Sequence, residues 1–471
     1  MGILRELLPS ITRLDELSAL YEIKFGKGRV RSVHQQDLEH LTHLSPLDFC
    51  YEALNKVSRS FAYVIQILPE DLKDAVCVFY LVLRALDTVE DDMSIPQDLK
   101  LPLLLQFHEK LYEHGWTIRD IGKKDEKTLL EQFDKVIDVF SFLKTEYQDV
   151  ISEITKRMGA GMHAFSEKIV VKTLKEYDEY CHYVAGLVGY GLSALFSASG
   201  LEDASLAQEY HLSNSMGLFL QKTNIIRDYC EDLDEDRTFW PEEIWKQYAS
   251  ELDWFNKNPD SEQSINCLNH LVLNALELVP ACLDYMFKLR NEAIFRFCGI
   301  PQVMAIATLT EVYDNKKVFT SNVKIRKGLS AKLMMTVDTY GKFKATFFEF
   351  ARNLKSKVRD PESNLGSRTI ALCDSIMKRT QPEPVSPSPS HSLSVFSIAM
   401  AVAVISYIIG YAMRLDSHEQ DILFRYRQVG VFACLSAFLL GYGIRGLGWT
   451  SGSSIAPNSR SSNNVPMNPS C

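Results

Sequence analysis

Two stretches of the chain set acids at the spacing of one helical face. Asp87, Glu90 and Asp91 stand at i, i+3 and i+4, and Asp228, Glu231 and Asp232 repeat that spacing. An arginine precedes each group, Arg84 by one turn and Arg227 by one residue. Carboxylates on one face repel one another, and the negative end of a helix makes this worse. A single cluster of this kind reads equally as a solvated acidic face. Two with the same spacing, each on an otherwise apolar helix, call for a shared counter-charge. No His or Cys ligand pattern accompanies them, so the ion they suit is hard. Mg²⁺ is typically held by one or two carboxylates, water and substrate phosphate. Asp87, Glu90, Asp91, Asp228 and Asp232 are therefore the candidate metal ligands.

A diphosphate held by such ions would leave behind a carbocation, and the rest of the pocket should then be apolar and aromatic. Phe61, Tyr180, Tyr183, Phe295 and Phe297 are candidates for those walls, although each aromatic taken singly also reads as ordinary core. Arg59, Arg84 and Arg227 can meet phosphate through their guanidinium forks, and each reads equally as a salt bridge to nearby acids.

The elements that must carry these residues are helical. Apolar residues recur every three and four positions from about Ser45 to Thr380, with long windows free of Gly and Pro. The pattern predicts helices at 46–67, 70–92, 98–114, 126–158, 174–200, 204–233, 262–297, 301–313, 331–357 and 366–379. Pro69 suits the first turn of the helix bearing the first acids, and Trp240-Pro241 stops the one bearing the second. No tandem period appears, which excludes a solenoid. The fold class expected is all-α, a single large helical domain at 44–380 behind an N-terminal segment at 1–43.

Composition sets further limits. The 471 residues are 46% hydrophobic, with net charge -9, which excludes nucleic acid as the main partner. Ten scattered cysteines make no Cys-x-x-Cys pair, so they read as reduced thiols of a cytosolic compartment. The N-terminus has no signal-peptide core. A Pro/Ser linker at 381–391 is followed by a predicted transmembrane helix at 392–414, in which Leu393 to Met413 gives 21 uncharged residues. A second uncharged run at 429–445 either crosses the membrane too or lies at its interface, and 450–471 reads as a disordered tail. Lys378 and Arg379 before the first span keep the helical domain on the cytosolic side.

Several blocks together resemble the squalene/phytoene synthase family, and within it the squalene synthases. They are Ser58-Arg59-Ser60-Phe61; Phe79 to Asp92; Tyr180-Cys181-His182-Tyr183 through Gly189; Gln221-Lys222-Thr223-Asn224-Ile225-Ile226-Arg227-Asp228-Tyr229; Phe239-Trp240-Pro241; and Phe297 to Gln302. The acidic pair alone points only to head-to-head prenyl synthases. Lys324-Ile325-Arg326-Lys327-Gly328 narrows it, because that segment contributes to NADPH binding in the squalene synthases; on its own it reads as a solvated basic loop.

The resemblance implies an isoprenoid-synthase-type helical domain with a central cavity, using Mg²⁺ and NADPH. Two farnesyl diphosphates would give presqualene diphosphate and then squalene. Asp87, Glu90, Asp91, Asp228 and Asp232 would hold the metal, and Tyr180 is tied to the proton step, with a phenol that is a poor base near neutrality. Phe295 and Phe297 would shield the cation. Arg59, Arg84, Asn224, Arg227, Lys324 and Arg326 would bind the diphosphate or the NADPH phosphates. There is no G-x-G-x-x-G turn, so the NADPH site is not a Rossmann one. The protein is expected to be a monomer anchored in the endoplasmic reticulum membrane. The alternatives are a synthase that stops at presqualene diphosphate or a phytoene-like product, and an inactive membrane-tethered isoprenoid-diphosphate binder. Within the motifs Val89 and Cys230 depart from the usual apolar residues. Asp92 falls off the acidic face and reads as an outer acid.

Overall fold

A computed structural model describes residues 13–25, 45–166, 170–235 and 237–382. The chain divides into two units, Met1–Val385 and Ser386–Cys471. Every described residue lies in the first. Most of the linker, the expected span at 392–414, the run at 429–445 and the tail at 450–471 fall outside the described residues, as do 1–12 and 26–44 of the N-terminal segment.

The described residues are helical throughout, with no strand among them. Two helices set the site. The first acidic helix, Glu70–Asp91, starts on Pro69 with Glu70 and Asp71 in its first turn, where the dipole favours acids. Its middle is buried on nearly all sides, with Leu72, Ala75, Val78, Leu81, Val82 and Leu86 at 0% exposure. It packs against the helices Pro46–Val57, Phe133–Phe142 and Thr145–Ser166. The second, Tyr210–Arg227, packs against Leu187–Ala198, Glu262–Leu276, Val279–Lys288 and Glu292–Val312. It ends at Asp228, and a short helix Tyr229–Asp234 continues beyond that break.

One crossing is set by glycine. A Cβ at Gly189 would lie 2.2 Å from the Ser213 carbonyl oxygen, and one at Gly217 would lie 2.2 Å from that of Ala185. Each helix thus lays bare backbone on the other. Between Leu174–Cys181 and Leu187–Ala198 the chain makes a π turn, His182–Gly186. His182 bonds Asn214 across the crossing at 2.7 Å. Such turns are frequent at functional sites.

Several predicted helices are broken differently. The stretch 126–158 is three helices, Lys124–Glu131, Phe133–Phe142 and Thr145–Ser166. Neither break holds Gly or Pro, so periodicity reads straight through them. The stretch 204–233 opens on a 3₁₀ turn, Ala204–Gln208, and breaks again at Asp228. The stretch 331–357 parts at Val337–Asp338, and Thr339 caps the next helix. The stretch 262–297 breaks twice, with Pro280 in the first turn of Val279–Lys288 and Asn291 capping Glu292–Val312. The buried Glu202 carboxylate receives the N–H groups of Arg290 and Asn291 at that cap. Pro301 starts no helix; it lies inside Glu292–Val312 and deprives the Phe297 carbonyl of its usual donor. Leu174–Ala198, Glu262–Lys288 and Glu292–Val312 are long and apolar enough to cross a membrane, yet here they belong to the bundle around the site.

Candidate active site

The two acidic helices face a cavity of about 570 Å³. One end of its wall carries Asp87, Glu90 and Asp91 from the first helix, Asp228 at the end of the second, and Asp232 on the short helix that follows. Arg84, Arg227 and Arg237 stand among them, with the amides of Gln221 and Asn224. The remainder is mostly apolar, with Phe61, Phe79, Leu83, Val188, Leu192 and Phe297 among the lining. A charged end and an apolar body suit a long hydrocarbon bearing an anionic head.

The arginines are already engaged. Arg84 donates to Asp87 at 2.9 Å and to the Tyr80 hydroxyl at 3.2 Å. Burial opposes its charge, but Asp87 and Tyr80 hold its pKa above the usual value. Arg227 grips the neighbouring Asp228 with two hydrogen bonds, 2.8 and 2.5 Å. Arg237 reaches Asp91 at 2.8 Å and Asp232 at 3.2 Å.

These cations do not balance the acids. Burial, opposed by Arg84 and reinforced by Asp91, raises Asp87 to about 6. Burial raises Asp232 to about 7 against the pull of Arg237. Glu90 is pushed well above the carboxylate range by burial and then by Asp87 and Asp91. Below, the buried Lys100 ammonium donates to the Glu90 carbonyl at 2.8 Å, a positive charge at a helix end that has no basic residue in its last turn.

The wall thus sets five carboxyl groups against three guanidiniums, two short of the cations needed for all five to ionise. Divalent cations fit that shortfall and this all-oxygen donor set. Among the described residues no three carboxylates converge as a ready-made cation cage. That suits an ion that takes only one or two carboxylates from each wall and completes its shell with water and phosphate oxygens.

Tyr180 lines the cavity next to the acids. Burial, followed by Glu90, Asp91 and Asp87, drives its pKa well above the ordinary phenol value. Nothing lowers it enough to make the phenolate a base. Phe297 also lines the cavity and meets Phe196 edge-on at 5.9 Å. Phe295 does not. It points to the other side of its helix, against Phe343 at 5.6 Å and Tyr340 at 6.0 Å. Residues i and i+2 of a helix lie about 200° apart, so one cavity cannot take both. Tyr183 is likewise absent from the lining and packs against Phe165 and His182.

Arg59 opens the helix Arg59–Gln66, whose cap is Ser58; its side chain is outside the described set. Lys324 and Arg326 are not in the wall. Lys324 is exposed, and Asn322 two residues earlier bonds Glu231 of the short acidic helix at 2.7 Å. Arg326 instead pairs with the buried Glu16 of the helix Leu14–Phe25 at 3.0 Å. Asp92 is a structural acid. It accepts from the Ser94 N–H and hydroxyl and from the Gly122 N–H, and these bonds lower its pKa against the cost of burial. Val89 and Cys230 do not line the cavity. Sequence reasoning missed Arg237, Lys100, Gln221 and Phe239. The signal for Arg237 was slight, a lone cation closing the run Asp232 to Asp236.

A family profile described as squalene/phytoene synthase matches residues 54–328. A squalene synthase of Solanum lycopersicum is 54% identical over 333 residues, covering 70% of this chain and 80% of that protein. A squalene synthase of Mus musculus is 44% identical over 396 residues, covering 83% and 93%. Among solved structures, the complex of TcSQS with the ligand BPH1237 superposes with a TM-score of 0.69 at 44% identity, over 71% of this chain and 98% of that one.

Proposed function

The chain belongs to the squalene/phytoene synthase family, and from that premise we propose that it joins two farnesyl diphosphates head to head and reduces the product to squalene. The observation that carries this is one cavity with acids and arginines at one end and an apolar body.

Mg²⁺, when bound, supplies the positive charge that lets a diphosphate depart. Asp87, Glu90 and Asp91 on one wall and Asp228 and Asp232 on the other are the residues that would hold it. Arg84 and Arg227 offer forks to diphosphate oxygens, and Asn224 and Gln221 add amide donors at the same end. The apolar body excludes water, so the allylic cation survives until the C2–C3 double bond of the second chain captures it. Ring closure to presqualene diphosphate then needs a base. Tyr180, kept protonated, donates to a diphosphate oxygen, and the departed diphosphate takes the proton. In the second stage presqualene diphosphate ionises, and Phe297 faces the rearranging cation. NADPH, when bound, supplies the hydride that ends the sequence. Lys324 is the exposed cation for its phosphates; Arg326 serves there only if Glu16 releases it.

The segment Leu393 to Met413 supports anchoring in a membrane, and Lys378 and Arg379 support a cytosolic catalytic domain, which we place at the endoplasmic reticulum.

The test is a product analysis of the full chain in detergent with farnesyl diphosphate. Presqualene diphosphate should form with Mg²⁺ alone, and squalene only after NADPH is added. Failure to make squalene with NADPH present would remove the reductive half. No product at all, with the D87N variant indistinguishable from wild type, would favour a binder.

A further inference from the structure

Arg237 belongs to neither acidic motif, yet it joins them. Its Nη1 donates to Asp91 on one wall at 2.8 Å. Its Nη2 donates to Asp232 on the other at 3.2 Å and lies 2.8 Å from the Glu235 carboxylate. The side chain is half-buried and crosses the Phe239 ring, 5.8 Å from its centroid. Its Nε is buried with no hydrogen-bond partner among the described residues. The backbone is fixed by a hydrogen bond from the Arg237 N–H to the Asp232 carbonyl at 2.8 Å. The flanking stretch up to Pro241 is not helical.

A guanidinium here does what a bound cation would do, because it neutralises acids from both walls at once. It cannot keep those carboxylates once a dication takes them, because the two positive charges repel at close range. We propose that Arg237 is the resident counter-ion of this cavity, closing the two acidic walls on each other in the free enzyme. It yields to divalent metal when the metal–diphosphate enters, and its fork then turns to the diphosphate oxygens. With its backbone held, only the side chain need move. Arg237 thus holds first the acids and then the substrate's diphosphate, and it tunes how readily the site takes metal. This rests on the reading that the five carboxylates hold divalent metal.

Mn²⁺ binding to the full chain in detergent, followed by electron paramagnetic resonance, tests it. Binding is measured without substrate and then with farnesyl S-thiolodiphosphate, a non-reacting analogue. Without the analogue, Arg237→Gln should bind Mn²⁺ about tenfold more tightly than wild type, because the competing cation is gone. Arg237→Lys, whose single ammonium cannot span both walls, should fall between the two. With the analogue present, the Gln variant should hold the analogue more weakly than wild type. A residue that merely braced the fold would give the opposite sign, with weaker metal binding after its loss. Equal or weaker Mn²⁺ binding by a folded Gln variant overturns the proposal. If that variant does not fold, equal or weaker binding by the Lys variant overturns it instead. Wild type that takes no Mn²⁺ even with the analogue sinks the metal reading itself, a result distinct from unchanged affinity in the variants.

Discussion

The Tyr180 ring lies on the Phe239 ring, with centroids 5.0 Å apart and planes 18° from parallel. Phe165 tilts against the Tyr180 ring itself, with centroids 5.5 Å apart. Rings so placed fix the phenol direction, and burial, followed by three nearby acids, raises its pKa well above the ordinary phenol value. The proposed mechanism therefore uses Tyr180 as a donor. Tyr180→Phe should slow presqualene diphosphate formation by about 10²–10³-fold, the loss typical of one oriented donor. The wild-type rate should show no rise between pH 8 and 10, and a rise with a phenol-like pKa would instead make the phenolate the base.

Asp232 carries a testable stability cost. Its folded pKa of about 7 lies above its ordinary value of 3.8. The native state therefore holds a proton that the unfolded chain has released, and stability falls as pH rises from about 4 to about 7. Asp232→Asn removes that slope. In metal-free buffer at pH 8 the variant should match or exceed wild type, by on the order of 1 kcal/mol. The difference should vanish near pH 4, while turnover is lost at every pH. Thermal melting in chelator across that range decides it; a variant less stable than wild type at pH 8 would refute the crowding of charge.

Phe297 and Phe295 should separate cleanly. Phe295 is 7% exposed and packs between its helix and Tyr340–Ser356. Phe295→Ala should cost about 3–4 kcal/mol of stability and leave the ratio of products unchanged. Phe297→Leu keeps most of the volume but removes the π face from the cavity. It should raise the share of presqualene diphosphate and of water-quenched alcohols over squalene, as read by gas chromatography.

Gly217 fixes the second acidic helix against the π turn. A Cβ there meets the Ala185 backbone, which has no flexible end to give way. Gly217→Ala should cost about 1–3 kcal/mol and, by shifting Asn224 and Asp228 on the same helix, raise the KM for farnesyl diphosphate. An unchanged KM would mean that the helix absorbs the shift locally.

The acidic clusters were legible because acids at helical spacing on an apolar helix are costly without a purpose. Asp87 and Asp228 stand out for that reason before any contact is known. Arg237 did not stand out, because it lies in a non-periodic stretch and its partner Asp91 is 146 residues away. The pairing of Arg326 is invisible in the sequence for a similar cause, since its acid is Glu16, 310 residues distant. That Phe295 turns away from the cavity is a geometric fact: chemical type is visible in a sequence, but which face of a buried helix meets a cavity is not. The breaks at Gln132 and Leu143 carry no Gly or Pro and are set by packing. Pro301 shows the converse, a helix breaker overruled by a buried helix.

The unequal ends of the cavity also govern departure. Substrate and intermediate are amphiphiles, and the charged end grips them only by their diphosphates. Squalene has none. Once the second diphosphate is lost, nothing tethers the oil to the ionic end, and the apolar body is merely one hydrocarbon phase among others. On the proposed membrane anchoring, a bilayer, far larger, would then draw the product out by partition alone. The same chemistry that completes the reaction dissolves the enzyme's hold on what it has made.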